Sequence, residues 1–117
     1  MKLIIDNGDL KILSDDDLLL WEGRPNGVLV LDAKAIPGSS DIIVLGEWHN
    51  SPKPYQNVVR CTATGEVKWL VGPLTAVGDC YTSIDVTGDR LFAFTWDCHN
   101  NEIDLATGRV LSSIFSK

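Results

Sequence analysis

Two stretches, Asp41-Ile-Ile-Val-Leu-Gly-Glu-Trp48 and Asp89-Arg-Leu-Phe-Ala-Phe-Thr-Trp96, share one form: an acid, a short apolar run and a closing tryptophan. Each leads into a second shared phrase, Ala63-Thr-Gly-Glu-Val67 and Ala106-Thr-Gly-Arg-Val110. Short apolar runs separated by Gly, Pro and Asn-Gly read as strands and turns. Working outward, copy one divides into strands over Val28–Asp32, Ile42–Trp48, Asn57–Thr62 and Glu66–Val71. Copy two divides likewise over Tyr81–Val86, Arg90–Trp96, Asn101–Leu105 and Arg109–Phe115. The expected fold is all-β: two repeated antiparallel four-stranded units packed as a sandwich or partial propeller, with an N-terminal hairpin. The segments are 1–26 for the hairpin and connector, 27–72 for repeat one and 80–117 for repeat two. The expected buried set is Leu29, Leu31, Ile43, Leu45, Val59, Val67, Ile84, Leu91, Ala93, Ile103, Val110 and Ile114.

The N-terminal hairpin follows from Asn7-Gly8, which supplies the two positive-φ positions of a type I′ turn between Leu3–Asp6 and Asp9–Leu13. Leu18-Leu-Leu-Trp21 after Ser14-Asp-Asp-Asp17 fits either a capped short helix or a further strand. Loops differ between the copies. The interval from Trp48 to Gly65 exceeds that from Trp96 to Gly108, and the surplus lies around Ser51-Pro-Lys-Pro-Tyr55, whose prolines are excluded from a central strand. The Ala33–Ser40 connection is also longer than the Thr87-Gly88 turn. In Asp104-Leu-Ala-Thr-Gly108 the carboxylate caps a tight turn; Cys61 stands at the matching place in copy one, so that turn is expected to be less well capped.

Copy two, Gly88-Asp-Arg-Leu-Phe-Ala-Phe-Thr-Trp-Asp97 through Glu102-Ile-Asp-Leu-Ala-Thr-Gly-Arg-Val-Leu111, resembles a blade repeat of the quinoprotein-type (PQQ-like) β-propellers. Copy one resembles it too, with Trp69 near the closing aromatic position, and together they cover about three quarters of the chain. The chain is also similar to small bacterial proteins in which such repeats stand alone. The resemblance implies blade architecture and carries little chemistry. The enzymes of that family use a complete ring, a calcium ion and commonly a vicinal cysteine pair; no Cys-Cys occurs here, so no cofactor is expected. Two blades fall short of the four to eight of a closed ring, which leaves a sandwich, a partial third sheet from the hairpin, or association of chains.

Composition narrows function by exclusion. The chain has 117 residues, 44% of them hydrophobic, and a formal charge of −6. That balance fits one globular domain and disfavours nucleic-acid or anionic membrane surfaces, which need clustered Lys and Arg. No apolar run is long enough for a membrane span or a secretory leader, so a cytoplasmic protein is expected. Cys61, Cys80 and Cys98 show no C-x-x-C spacing and read as small buried hydrophobes.

His49, His99, Cys98, Asp97 and Glu47 form the nearest approach to a metal set. Their spacing lacks the short paired ligands of zinc sites, and they read as a polar rim. No G-x-S-x-G elbow, P-loop, G-x-G-x-x-G or D-x-D-x-D-G loop occurs, so Ser-His-Asp catalysis, phosphate cradling and calcium binding at Asp15-Asp-Asp17 all lack their sequence context. The chain is therefore expected to be a non-enzymatic protein-binding module. Its candidate partner-binding residues are Trp48, His49, Tyr55, Trp96, Asp97 and His99 at one end of the strands. An acidic protein of this size suits a basic partner, a bacterial immunity-type protein being one form. The alternative is a self-associating module, with a homodimer as its simplest state, and a metal-dependent enzyme stands third.

Overall fold

The computed structural model describes residues 1–49, 55–72 and 80–115. Among these residues every regular element is a strand: β1 Lys2–Asp6, β2 Asp9–Leu13, β3 Leu19–Gly23, β4 Val30–Ala35, β5 Ile42–Gly46, β6 Val58–Cys61, β7 Val67–Leu70, β8 Tyr81–Thr87, β9 Arg90–Thr95, β10 His99–Ile103 and β11 Val110–Phe115. They form three antiparallel sheets, ordered β1-β2-β3, β4-β5-β6-β7 and β8-β9-β10-β11. The expected hairpin of β1 and β2 forms, and Leu19–Gly23 joins it as a third, outer strand, so of the two readings of the segment after Ser14 the strand holds and the helix does not. The expected 51–54 part of the proline loop lies outside the described residues.

The middle sheet is covered on both faces, which decides where the core sits. Alternate residues of β5 face opposite ways. Ile43 and Leu45 join Val58, Val71, Tyr81, Ile84, Leu91, Ala93 and Ile103 in a core shared with the third sheet. Ile42 and Val44 join Leu10, Ile12, Val30, Val59 and Cys61 in a core shared with the first. Every residue of β5 is consequently buried. Ile43, Leu45, Val59, Ile84, Leu91, Ala93 and Ile103 are buried as expected. Leu29, Leu31, Val67 and Ile114 are instead exposed, and Val110 is half-buried. Leu31 sits at a β-bulge between Val30 and Asp32, which breaks the alternation on which its inward assignment rests. Ile114 and Val110 lie on β11, at the outer edge of a sheet that has a neighbour on one face alone, and Val67 begins the edge strand β7.

Strand pairing corrects the alignment of the repeats. Val30 pairs with Gly46 and Tyr81 with Thr95, each just before a bulge. Ala35 pairs with Ile42, and Ile42 with Cys61; Val86 pairs with Leu91, and Leu91 with Ile103. Ile42 is therefore the structural counterpart of Leu91 and Val44 of Ala93, one residue away from the match of the two phrases. The same offset makes Glu47 the counterpart of Trp96: the N–H of Glu47 donates to the Leu29 carbonyl at 2.8 Å, and that of Trp96 to the Cys80 carbonyl at 3.0 Å. A one-residue slip turns every side chain to the other face, so the corrected register also fixes which faces meet.

The first sheet is a third copy lacking its innermost strand. The bulge between Ile12 and Leu13 opposite β3 matches those between Arg60 and Cys61 opposite β7 and between Glu102 and Ile103 opposite β11. The following turns match as well. Ser14, Thr62 and Asp104 N–H groups donate to the carbonyls of Leu18, Glu66 and Arg109, and Asp17, Gly65 and Gly108 hold positive φ. Thr62, not Cys61, is thus the counterpart of Asp104. Its hydroxyl accepts from the Glu66 N–H at 3.1 Å, so the copy-one turn is capped after all.

Neighbouring sheets join by a repeated device. A Cβ added to Gly65 would lie 2.2 Å from the Trp21 ring, and one added to Gly108 would lie 2.7 Å from that of Trp69. Each tryptophan covers the turn of the next copy. The register equivalent of Trp69 in β11 is Ser112, where the series stops. Polar ties reinforce the second junction. Buried Asp41 accepts from Arg60 Nε at 2.9 Å and pairs with Lys68 at 2.6 Å, while Arg60 also donates to the Leu105 carbonyl. Buried Asn57 donates to the carbonyls of Gly46 and Tyr81 and accepts from the Tyr81 N–H.

Candidate functional site at one end of the sheets

The connections β1–β2, β5–β6 and β9–β10 all emerge at one end. The first is the Asn7-Gly8 turn, with φ of 51° and 81° as a type I′ hairpin requires. The third, Trp96-Asp97-Cys98, turns through Cys98 at φ 66°. It forces Trp96 outward, and that side chain stays 71% exposed. The second is the long connection after Gly46. Its start is stiffened by Glu47, whose carboxylate accepts from the N–H groups of Trp48 and His49, both at 2.7 Å.

Between the second and third of these connections lies a half-open recess of about 330 Å³ lined by Trp48, His49, Tyr55, Cys80 and Trp96. Four of the six sequence-derived candidates therefore meet in one place. The imidazole of His49 stacks on Trp48 with ring centroids 5.4 Å apart, and its Nδ1 lies 2.6 Å from Glu47 Oε1. The Asn57 bonds to Gly46 and Tyr81 fix the two strands that flank the recess.

Asp97 and His99 do not line it. They pair with each other, Nδ1 to Oδ1 at 3.2 Å, and His99 lies on β10 with its ring edge-on to Phe115. The expected shared rim of histidines is thus two separate carboxylate–histidine pairs. Among the described residues no group of three or more His, Cys, Asp and Glu side chains is placed to hold a metal ion. Cys80 was missed as a lining residue; it precedes β8, and its lone thiol gives no sequence signal of a site.

Glu47 and Asp97 are both held in the charged form. Glu47 has its pKa lowered chiefly by the His49 backbone N–H, against a smaller cost of burial. Asp97 is lowered chiefly by the Thr95 hydroxyl, helped by His99. The field of Asp97 adds to burial in pushing the Tyr81 phenol up to about 12. The described lining of the recess is thus mostly aromatic, and among the described residues neither Lys nor Arg belongs to it.

A family model described as "Domain of unknown function (DUF7957)" matches residues 32–115. The chain belongs to this family. The DUF7957 match starts inside β4 and takes in β5 to β11 and every residue of the recess, while β1–β3 precede it. Among solved structures the chain is similar to BamB from Moraxella catarrhalis, a β-propeller of PQQ-like repeats. The TM-score is 0.68 at 11% sequence identity, over 97% of this chain and 32% of that one. The likeness establishes a propeller-blade fold, with this chain spanning about a third of the BamB length. The chain matches no curated protein.

Proposed function

We propose that this DUF7957 chain is a non-enzymatic, cytoplasmic binding module that holds a protein partner with a basic surface at the end where Trp48, His49, Tyr55 and Trp96 meet. The observation that carries the reading is the recess itself, in which aromatic side chains from two repeats converge and one tryptophan is left 71% exposed. Rigid aromatics at the centre of a small concave patch are the usual anchors of protein interfaces. Charge supports the same reading, since a formal −6 steers basic partners toward the chain. An immunity-type role is one concrete form of this function.

The test is a photo-reactive benzoylphenylalanine in place of Trp96, with one in place of Glu22 on the far face of the first sheet as control. The reading expects a discrete adduct with one basic protein from position 96 alone. Adducts equal at both positions, or none at either, would overturn it.

A second reading, self-association, is favoured by one observation. The open face of the third sheet carries Phe92, Phe94 and Ile114, and Ile114 is 66% exposed. Their register counterparts in the middle sheet, Ile43, Leu45 and Val71, are buried. A homodimer through that face would show as a concentration-dependent mass in sedimentation, abolished by Ile114→Lys. A single mass across the concentration range would dismiss it.

A further inference from the structure

We infer that the chain forms a symmetric homodimer in which β1 pairs antiparallel with β1 of a second copy, filling the place of the strand that the first sheet lacks. The inference concerns the N-terminal sheet and goes beyond the partner site at the recess. Three observations carry it. In the complete repeats β5 and β9, the counterparts of β1, pair on their inner side with β4 and β8, whereas β1 pairs with β2 alone among the described residues. The side chains along that edge lie open. Ile4 is 46% and Ile5 39% exposed, while every residue of β5 is buried. The strand itself, Lys2-Leu-Ile-Ile-Asp6, is complementary to its own sequence when read antiparallel about Ile4.

The hydrogen-bond phase of the edge selects the register. In a hairpin with a two-residue type I′ loop the residues flanking the loop form a hydrogen-bonded pair, and such pairs alternate along the strands. Asp6 and Asp9 flank the Asn7-Gly8 loop and are partners, so Asp6, Ile4 and Lys2 direct their N–H and C=O groups at β2. Leu3 and Ile5 direct theirs at the open edge. With the two-fold axis at Ile4, Leu3 stands opposite Ile5 of the second copy, and each free N–H meets a free C=O. A shift by one residue would set no free group opposite another, and a shift by two would set Lys2 or Asp6 against Ile4. The register at Ile4 instead sets Lys2 opposite Asp6 of the second copy. These are non-hydrogen-bonded positions, where facing side chains come closest and opposite charges attract. Within the chain Lys2 pairs with Asp17 and Asp6 with Lys11, but both pairs lie at the surface and are exchanged at little cost. β1 also lacks the proline and the bulge by which natural sheets blunt an open edge. An interface that repeats one strand on both copies closes on itself, so the assembly stops at the dimer.

The experiment measures the dimer dissociation constant of the full chain by sedimentation equilibrium, with Lys2→Asp and Asp6→Lys prepared separately and then mixed. Each variant alone sets like charges opposite each other at both ends of the paired strands, and its dissociation constant should rise about tenfold or more. In the mixture one copy brings two acids and the other two bases, so both pairs form again. The constant of the mixture should return to within about threefold of the native value. Recovery on mixing also shows that both variants fold. Ile4→Glu provides a second route: it faces Lys11 within the chain and its own copy across the axis, so it should abolish the dimer while the tryptophan fluorescence of the fold is kept. A native chain that stays monomeric across the concentration range overturns the inference. So does a dimer indifferent to Lys2→Asp and Asp6→Lys, a mixture no tighter than its components, or a folded Ile4→Glu that dimerises like the native chain. A dimer lost in Ile114→Lys and kept in Ile4→Glu overturns it too, by assigning the contact to the open face of the third sheet.

Discussion

The indole N–H of Trp69 donates to the Leu105 carbonyl at 2.8 Å, and its ring lies over Gly108. One side chain thus closes the junction between the two complete repeats and forbids a side chain at position 108. Gly108→Ala would place a Cβ 2.7 Å from the Trp69 ring at a φ of +80°. Strain and overpacking together should cost about 2–4 kcal/mol. Gly88 has a φ of +61° and open space around it, so Gly88→Ala should cost only about 1 kcal/mol. Urea unfolding of both variants checks this; equal losses would deny the Trp69 contact.

The corrected register separates residues that composition cannot. Leu91 is fully buried in the core between the second and third sheets, and Leu91→Ala should cost about 2–5 kcal/mol through the cavity it leaves. Leu31, displaced outward by the β4 bulge, should lose no more than about 0.5 kcal/mol as Leu31→Ala. Thermal or urea denaturation decides the pair, and comparable losses would restore the uncorrected register.

Asn101 is the counterpart of Val59 and is fully buried in the opposite direction of chemistry. Its Nδ2 donates to the Ala93 carbonyl at 3.0 Å, while its Oδ1 finds no partner among the described residues. An unsatisfied buried acceptor costs about 1–3 kcal/mol. Asn101→Val, which restores the residue used in the other copy, removes that cost but also both bonds that Nδ2 donates, to the Ala93 and His99 carbonyls, so the two effects should offset to within about 1 kcal/mol. A loss of more than about 2 kcal/mol in equilibrium unfolding would show that Oδ1 is paired as well.

Much of this was legible in the sequence and some was hidden for physical reasons. The strand and turn pattern gave the all-β fold, because Gly65, Gly108 and Asn7-Gly8 sit where positive φ is needed. The phase of β5 was hidden. Ile42-Ile43-Val44-Leu45 is apolar on both faces, so it has no period-two signal, and the matching tryptophans drew the alignment one residue off. The third copy was hidden because Asp17 takes the positive-φ position held by glycine in the other turns. At the candidate site, Trp48, His49, Tyr55 and Trp96 were found as aromatics beside connections. Asp97 and His99 pair off because His99 already belongs to β10.

The buried cluster at Asp41 sets an acid limit to stability. Burial alone would raise the pKa of Asp41, but the hydrogen bonds and charges of Lys68 and Arg60 outweigh it and hold the carboxyl below its usual range. A folded pKa below the unfolded one stabilises the fold fully above about pH 4–5, and the contribution is lost as pH falls through the folded value. Stability against urea should therefore be flat near neutrality and decline in acid. Asp41→Asn should lower the plateau by about 2–3 kcal/mol and flatten the acid decline. An unchanged acid slope in that variant would remove Asp41 from the account.

The central claim is that the recess holding Trp96 is where a basic partner binds, and the dissociation constant of the partner captured at position 96 tests it most directly. Compared for the native chain and Trp96→Ala at one salt concentration, it should rise at least tenfold on loss of the indole, equivalent to about 1.4 kcal/mol. The unfolding midpoint of Trp96→Ala should stay unchanged. A dissociation constant within twofold of the native value, with both proteins folded, would contradict the claim.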